Sequence, residues 1–219
     1  MNSQVKQILK LNSNFYQSVS EKFSKSRQTP WLGWDRLLNN INEHFKGKYK
    51  ILDLGCGNGR FYNFMSDKVL DCNYLGCDIN NDLIIEAKEK CFNRGGHNAK
   101  FKVINIFENI KDIKGKYDLV VGFGITHHIP DSNYRRQWFL DISKLLASKS
   151  MLVLTFWKFD KKSGDYLIGW QNKNIARYCH QYSKKELDDL IRLYKKHEIK
   201  LIDKYESDNK NTYLVFGKM

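Results

Sequence analysis

The sequence predicts an α/β fold built on a doubly wound, mostly parallel sheet. Short apolar runs typical of strands alternate with segments of helical period along most of the chain. The first run ends at residue 54 and leads directly into a glycine-rich turn, the order in which such sheets form a nucleotide-type site. The last two runs lie on either side of a polar turn at 206–210 and are expected to pair antiparallel.

The positions of the elements follow from this alternation. Strands are predicted at 49–54, 73–78, 100–106, 117–123, 151–157, 198–205 and 211–217. Helices are predicted between them at 58–66, 81–91, 131–146 and 183–195. Strands that alternate with helices in this way form a sheet covered by helices.

Residues 1–47 precede the first strand and are predicted to form an N-terminal helical extension. Apolar residues from Val5 to Phe23 recur with a helical spacing. A second helix is predicted to start with Thr29 as its N-cap and Pro30 in its first position. No repeat or linker interrupts the chain, so residues 1–219 are expected to form one domain with a core at 48–219.

Composition restricts the classes of partner and compartment. Of the 219 residues, 42% are hydrophobic, which indicates a folded protein. The formal net charge of +13 favours a polyanionic partner, with nucleic acid as the first candidate. The alternative is that the lysine content only reflects an AT-rich genome. No apolar run reaches the roughly 20 residues of a membrane span, and the five cysteines form no C-x-x-C pair. We therefore expect a cytoplasmic protein with no membrane partner.

The glycine-rich turn is the most informative stretch of the sequence. It runs D-L-G-C-G-N-G-R from Asp53 to Arg60. A dinucleotide-binding turn would have its third glycine at the position of Arg60. Here the glycines follow the pattern G-x-G-x-G, and one acid stands two residues before the first glycine. A second acid, Asp78, ends the next predicted strand about 20 residues past the glycines.

With these two acids, the turn resembles motif I of class I S-adenosylmethionine-dependent methyltransferases. The resemblance implies a seven-stranded, Rossmann-like sheet with an antiparallel final strand, and S-adenosyl-L-methionine as the cofactor. It implies that the glycines contact the methionine portion, that Asp78 binds the ribose and that Asn105 accepts a hydrogen bond from the adenine amino group. The expected cofactor-binding residues are Asp53, Gly55, Cys56, Gly57, Gly59, Asp78, Ile79, Asn105, Ile106, Phe123 and Gly124.

Four further segments resemble a narrower family. They are F-S-K-S-R-Q-T-P-W at 23–31, G-I-T-H-H-I at 124–129, R-R at 135–136 and R-Y-C-H at 177–180. In this order they are similar to the tRNA wobble-uridine methyltransferases, which methylate the carboxylate of 5-carboxymethyluridine, over roughly residues 15–195. The resemblance implies tRNA as the partner. Some members also work with a small zinc-binding activator subunit, and in relatives the region equivalent to 158–176 shapes the substrate opening.

Methyl transfer to a carboxylate makes few chemical demands on a protein. The acceptor is already ionised at neutral pH, so no general base is needed, and cationic donors hold the anion while both reactants are aligned. The residues expected around the acceptor are Arg27, His127, Arg136, Tyr178 and His180. A hydroxyl or ring-nitrogen acceptor would need a base, which His127 or His128 could supply.

Other interpretations of these residues are open at this point. The adjacent histidines could bind a metal, but no third ligand has motif spacing, so no metal is predicted. Arg135 and Arg136 could be a solvated helix face. Trp31 and Trp34 favour a packing role, whereas Trp157 is placed to line the pocket. The alternative function is a methyltransferase of the same fold that acts on a small-molecule carboxylate or another metabolite. A non-catalytic RNA-binding module is the third possibility.

Overall fold

The chain folds into a seven-stranded sheet with helices on both faces and a separate two-stranded hairpin. This computed structural model describes residues 1–68, 72–95, 98–159, 161–170 and 175–219. The helices are α1 (Ser3–Lys25), α2 (Gly33–His44), α3 (Arg60–Lys68), α4 (Asn81–Asn93), α5 (Ser132–Ser143) and α6 (Lys184–Lys195). The strands are β1 (Tyr49–Leu54), β2 (Cys72–Asp78), β3 (Ala99–Val103), β4 (Tyr117–Gly122), β5 (Leu146–Trp157), β6 (Gly164–Gly169), β7 (Ala176–Gln181), β8 (Ile199–Ser207) and β9 (Asn211–Lys218).

The sheet has the strand order β3-β2-β1-β4-β5-β9-β8. Parallel pairing runs from β3 through β2, β1 and β4 to β5, and β9 is antiparallel to both of its neighbours. The predicted seven-stranded, mostly parallel sheet with an antiparallel final strand is therefore confirmed. The order reverses between β1 and β4, so their carboxyl ends form the point at which ligands bind in such sheets.

Each face of the sheet has its own apolar core. Helices α5 and α6 cover one face, where Leu52 and Leu54 of β1 are fully buried. Helices α2, α3 and α4 cover the other face, where Ile51 is fully buried. Because both faces are covered, the central strands are nearly continuous apolar runs, which is why the sequence predicted them well.

Helix α2 begins at Gly33, so the prediction of a start at Thr29 and Pro30 was wrong. The carboxylate of Asp208, in the turn between β8 and β9, accepts hydrogen bonds from the N–H groups of Leu32 (2.7 Å) and Gly33 (3.3 Å). These are backbone donors that a helix start leaves unsatisfied. The cap therefore comes from a distant part of the chain.

Helix α1 lies across the carboxyl edge of the sheet and is fixed there by side-chain amides. The Asn12 amide oxygen accepts from the N–H of Tyr178 (2.7 Å), and its Nδ2 donates to the carbonyl of the same residue (3.1 Å). Asn80, after β2, donates through Nδ2 to the carbonyl of Tyr16 (3.1 Å). These bonds connect α1 both to β7 and to the turn after β2.

The hairpin of β6 and β7 is absent from the sequence-based prediction. Its strands pair antiparallel, with Asp165 opposite His180 and Ile168 opposite Arg177. One face of β6 is open to solvent and Leu167 on that face is 68% exposed, so the sequence of β6 lacks the alternation of apolar and polar residues that would predict a strand. Residues 160 and 171–174 of the predicted opening at 158–176 lie outside the described residues.

Candidate active site

The turn after β1 presents bare backbone to a cavity. Gly55 and Gly57 have positive φ angles of 75° and 53°, which favour glycine. The N–H of Gly55 donates to the carbonyl of Cys77 (2.7 Å), and the N–H of Gly57 donates to the carboxylate of Asp78 (2.9 Å). A Cβ atom on Gly55 would clash with Ile125, whereas one on Gly57 would meet none of the described residues within 4 Å. A ligand can therefore lie directly against Gly57.

Two adjoining cavities open at this turn. The arginine cavity, defined by Arg27, Arg60 and Arg177, has a volume of about 190 Å³. The Asp78 cavity, defined by Asp78 and Asn105, has a volume of about 120 Å³. Both are lined by Tyr16, Phe23, Gly55, Gly57, Phe123 and Gly124. A single ligand that crosses the glycine turn would occupy parts of both cavities.

Asp78 provides hydrogen-bond acceptors in the second cavity. One carboxylate oxygen accepts from the N–H of Gly57 and the other from the N–H of Asn80, each at 2.9 Å. Burial raises the pKa of Asp78, while these hydrogen bonds act in the opposite direction. Each oxygen keeps lone pairs for a ligand hydroxyl, as the expected ribose contact requires.

The other residues expected near the adenine also line the Asp78 cavity. They are Ile79, Asn105 and Ile106. The Asn105 amide oxygen already accepts from the N–H of Phe107 (3.1 Å), and one lone pair is left for a ligand amino group.

The arginine cavity combines aromatic walls with an excess of positive charge. It is lined by Arg27, Arg60, Arg177, His127, Trp31, Trp34, Trp157, Asp53, Asn58 and Asn211, besides Cys56, Phe61 and the shared residues. Of these residues, Asp53 is the single acid among three arginines. An anionic ligand would therefore balance the charge of this cavity.

Arg177 is the most deeply buried of the three arginines. It is 8% exposed, and its Nε and Nη1 atoms have no hydrogen-bond partner among the described residues. The guanidinium lies over the rings of Phe15 (4.9 Å) and Trp157 (5.7 Å). The thiol of the neighbouring Cys179 interacts with Arg177 through a hydrogen bond but is not a counterion, because burial raises its pKa to about 11 against the lowering effect of Arg177. A buried cation without an anion is costly, so this position favours an anionic ligand.

Arg27 and Arg60 extend the positive charge toward the glycine turn. Burial lowers the pKa of both arginines, that of Arg60 to about 10. The positive charge of Arg177 also lowers the pKa of Arg27, and the positive charge of Arg27 lowers that of Arg60. Arg27 stacks on Phe23 (3.9 Å), and Arg60 donates to the carbonyl of Thr29 (3.0 Å). Both remain cationic at neutral pH.

Asp53 lies at the base of the arginine cavity and is 2% exposed. Tyr74 donates a short hydrogen bond to its carboxylate. Burial raises the pKa of Asp53 to about 7, against the lowering effect of Tyr74. The group can therefore carry a proton near neutral pH when no ligand is bound.

The adjacent histidines have different surroundings. His127 lines the arginine cavity, and its Nδ1 has no partner among the described residues. Both ring nitrogens of His128 have partners: Nε2 lies 2.7 Å from the hydroxyl of Tyr16, and Nδ1 lies 3.0 Å from the carbonyl oxygen of Tyr178 and 3.2 Å from Nδ2 of Asn12. Burial lowers the pKa of both histidines, that of His128 to about 3, so both are neutral at pH 7.

A metal site at the two histidines is not favoured by these bonds. The structure brings the thiol of Cys179 to their side, so that the three ligand atoms lie within 4.8 Å of one another. Sequence spacing could not show this neighbour, because it comes from β7. His128, however, already uses both ring nitrogens. The absence of a metal stays a prediction.

The structure does not bring four of the predicted site residues to the two cavities. Gly59 packs against Ala87 of α4, where a Cβ atom would lie 3.1 Å from the alanine Cβ. Arg136 is exposed and lines a separate groove between α5 and α6. Tyr178 and His180 line neither cavity, and both contact Asp165 instead. The remaining predicted residues line one cavity or both.

Tyr178 and His180 hold the hairpin on the sheet. Asp165 accepts from the Tyr178 hydroxyl (2.7 Å) and lies 2.6 Å from Nδ1 of His180, whose Nε2 lies 2.8 Å from Glu186. The guanidinium of Arg135 lies within 4 Å of both carboxylates. These residues therefore connect the hairpin to α5 and α6 and fix the strand that carries Arg177.

Sequence reasoning missed several residues of the cavities. Tyr16, Phe23 and Arg177 belong to segments that were singled out, but no role at the site was given to them. Arg60 was noted only as a departure from a glycine pattern, and Asn211 carried no signal. To find Tyr16 and Phe23 from the sequence, one would have needed to know that α1 crosses the edge of the sheet.

Comparisons with known proteins support the class expected from the turn. Residues 52–152, slightly under half of the chain, match a family model described as "Methyltransferase domain". The tRNA (carboxymethyluridine(34)-5-O)-methyltransferase of Arabidopsis thaliana is 23% identical over 167 residues, which cover 76% of this chain but only 37% of that protein. A protein of Encephalitozoon cuniculi, named only as a methyltransferase, is 24% identical over 217 residues, 93% of each chain.

A solved structure gives the same result for the fold. The 1,6-didemethyltoxoflavin-N1-methyltransferase of Burkholderia thailandensis, solved with S-adenosylhomocysteine, superposes with a TM-score of 0.75 at 13% identity, covering 100% of this chain and 92% of that chain. Together, the fold, the turn and the match over residues 52–152 support an S-adenosylmethionine-dependent methyltransferase. No helix among the residues that the structure describes is long and apolar enough to cross a membrane.

Gly57→Ala is expected to weaken binding of S-adenosylmethionine at least tenfold with little loss of stability. The new methyl group would enter the open space over the turn. The positive φ at this residue adds a strain of about 1 kcal/mol when the residue is not glycine. Gly95→Ala is the matched control, because Gly95 also has a positive φ and open space but lines neither cavity. Calorimetric titration that gives equal affinities for both variants would contradict this prediction.

Asp53→Asn is expected to change how stability depends on pH when no cofactor is present. Since the folded protein holds the Asp53 proton up to about pH 7, and an unfolded chain releases it near pH 4, wild-type stability should fall across this interval. The melting temperature of the variant should therefore rise relative to wild type between pH 4 and pH 8. A difference in melting temperature between Asp53→Asn and wild type that stays constant from pH 4 to pH 8 would refute the raised pKa of Asp53.

Proposed function

We propose that this protein transfers the methyl group of S-adenosylmethionine to a carboxylate, that of 5-carboxymethyluridine at the wobble position of tRNA. The observation that carries the proposal is the buried guanidinium of Arg177, whose Nε and Nη1 have no partner among the described residues and which lies in the cavity beside the glycine turn. A guanidinium binds a carboxylate through two parallel hydrogen bonds. Arg177 therefore takes the acceptor role for which Arg136 was predicted.

The surroundings of His127 favour an acceptor that is already ionised. Burial, together with the charges of His128 and Arg177, lowers the pKa of His127 well below its usual value. An imidazole with so low a pKa is a weak base and would remove a proton from a hydroxyl or ring nitrogen poorly. A carboxylate needs no such step.

The described residues fit the cofactor in three places. Asp78 has free lone pairs for ribose hydroxyls, the backbone at Gly57 is open, and Arg27 and Arg60 lie near the turn for an amino-acid carboxylate. Bound S-adenosylmethionine supplies an electrophilic methyl group. The role of the protein is to hold both reactants in line. Arg177 and Trp157 would fix the acceptor.

Two observations support tRNA as the partner. The net charge of +13 suits a polyanion, and the name of the Arabidopsis relative gives a carboxymethyluridine in tRNA as its substrate. The activator subunit and the cytoplasmic location stay predictions from the resemblance and the composition.

The proposal is tested by methyl transfer to tRNA from cells that lack this enzyme. After digestion to nucleosides, mass spectrometry should find one added methyl on a carboxymethylated uridine, and mild alkali should remove it, because esters hydrolyse. An alkali-stable methyl would move the acceptor to a base or ribose. Transfer to small carboxylic acids but not to tRNA would support the small-molecule alternative instead.

Arg177→Met is expected to raise the stability of the protein and to lower its activity. Methionine fills similar space without a charge, so removal of a buried cation that has no ion-pair partner among the described residues should raise the melting temperature. At the same time kcat/KM for the carboxylate acceptor should fall by about two orders of magnitude or more, since a bidentate ionic contact is lost, while cofactor affinity is retained. Exposed Arg136→Met is the matched control. A less stable variant with normal turnover would show that Arg177 has a structural role only.

A further inference from the structure

Asn211 is a buried polar residue of the arginine cavity to which the proposed function gives no role. It is the first residue of β9, is 7% exposed and lines the cavity. None of the residues that the structure describes forms a hydrogen bond with its side-chain amide. The polar groups of a buried amide are normally satisfied by hydrogen bonds, so an open amide in a cavity wall indicates a ligand.

The direction of the β9 side chains shows that Asn211 stands where packing alone would favour an apolar residue. Successive side chains of a strand alternate between the two faces of a sheet, so Val215, Tyr213 and Asn211 share one face. Val215 and Tyr213 are fully buried in the core that α2, α3 and α4 cover. The same row reaches the arginine cavity at Asn211, and there the side chain becomes polar.

Asn211 lies beside the groups that would hold the acceptor. It is the partner of Trp157 in the antiparallel pair of β5 and β9, and partners in such a pair have adjacent side chains on the same face. The guanidinium of Arg177 lies 5.7 Å from the ring centroid of Trp157. All three residues line the arginine cavity. A planar ring with a short acidic arm can therefore place the arm at Arg177 and its own polar edge at Asn211.

We propose that Asn211 recognises the acceptor base by its Watson–Crick edge. In uracil this edge has the N3–H group as a donor, with a carbonyl oxygen on each side. A side-chain amide offers an oxygen acceptor and two N–H donors. Its oxygen accepts from N3–H, and its nitrogen donates to a neighbouring carbonyl. The inference rests on the proposed function, because it concerns the same acceptor.

This contact requires that the acceptor base is unpaired. The Watson–Crick edge cannot bind Asn211 and another base at the same time, so the base must come from a single-stranded segment or be turned out of a helix. Bases of RNA loops are commonly recognised through this edge, next to aromatic side chains. Arg177 then selects the acidic arm, and Asn211 selects the ring that carries it.

The contact is tested on the wild-type protein by calorimetric titration with 5-carboxymethyluridine and with its N3-methyl derivative, in the presence of saturating S-adenosylhomocysteine. The added methyl group replaces the hydrogen that the Asn211 oxygen would accept. We expect the unmethylated nucleoside to bind about tenfold more tightly, because the derivative cannot form the paired hydrogen bonds.

Asn211→Ala removes the amide and leaves space for the added methyl group. Its affinity for 5-carboxymethyluridine should fall about tenfold, and the two nucleosides should then bind within twofold of each other. Affinity for S-adenosylhomocysteine should stay within twofold of wild type, which also shows that the variant is folded. Asn42→Ala is the matched control, because Asn42 is exposed on α2 and lines neither cavity, and it should keep the wild-type ratio.

Equal binding of the two nucleosides by the wild-type protein would overturn this inference and leave the proposed function standing. A loss of S-adenosylhomocysteine affinity in Asn211→Ala with the wild-type ratio retained would also overturn it, and would place the amide on the cofactor. If the wild-type protein bound neither nucleoside, the proposed function would fall together with the inference.

Discussion

The paired hydrogen bonds between the Asn12 side chain and the backbone of Tyr178 hold the site together. They fix α1 to β7, two elements from opposite ends of the sequence. Tyr16 and Phe23 of α1 then line the arginine cavity together with Arg177, which is next to Tyr178. The sheet supplies only the floor, at the carboxyl ends of β1 and β4. In the proposed function, the acceptor site therefore comes from elements added to the sheet.

Among the described residues of the arginine cavity, positive charge exceeds negative charge. Three arginines line one cavity with a single acid, and burial raises the pKa of that acid, Asp53, to about 7. Unpaired buried charge lowers the stability of the free protein. Such a cost is typical of functional sites, where charges are arranged for a ligand rather than for folding. The same charges would then strengthen binding of an anionic acceptor, since little water remains around Arg177.

The sequence was informative where the cause of a structure is local. The turn at Gly55 and Gly57 and the alternation of strands with helices follow from glycine spacing and apolar periodicity, and both were predicted. Contacts between distant segments were not predicted. Asp208 caps α2 from the turn between β8 and β9. On β7, Arg177 faces the cavity, whereas Tyr178 and His180 do not. In a strand, neighbouring side chains point to opposite faces, so a motif alone could not tell which of them reach the ligand.

The central claim is that the arginine cavity recognises a carboxylate. It is tested most directly by calorimetric titration of the enzyme, saturated with S-adenosylhomocysteine, with 5-carboxymethyluridine and with its methyl ester. The two nucleosides differ only in the charged group that Arg177 would hold. We expect the acid to bind at least tenfold more tightly than the ester, because a buried charge-assisted pair contributes about 1.5–3 kcal/mol. Equal affinities, or tighter binding of the ester, would contradict the account.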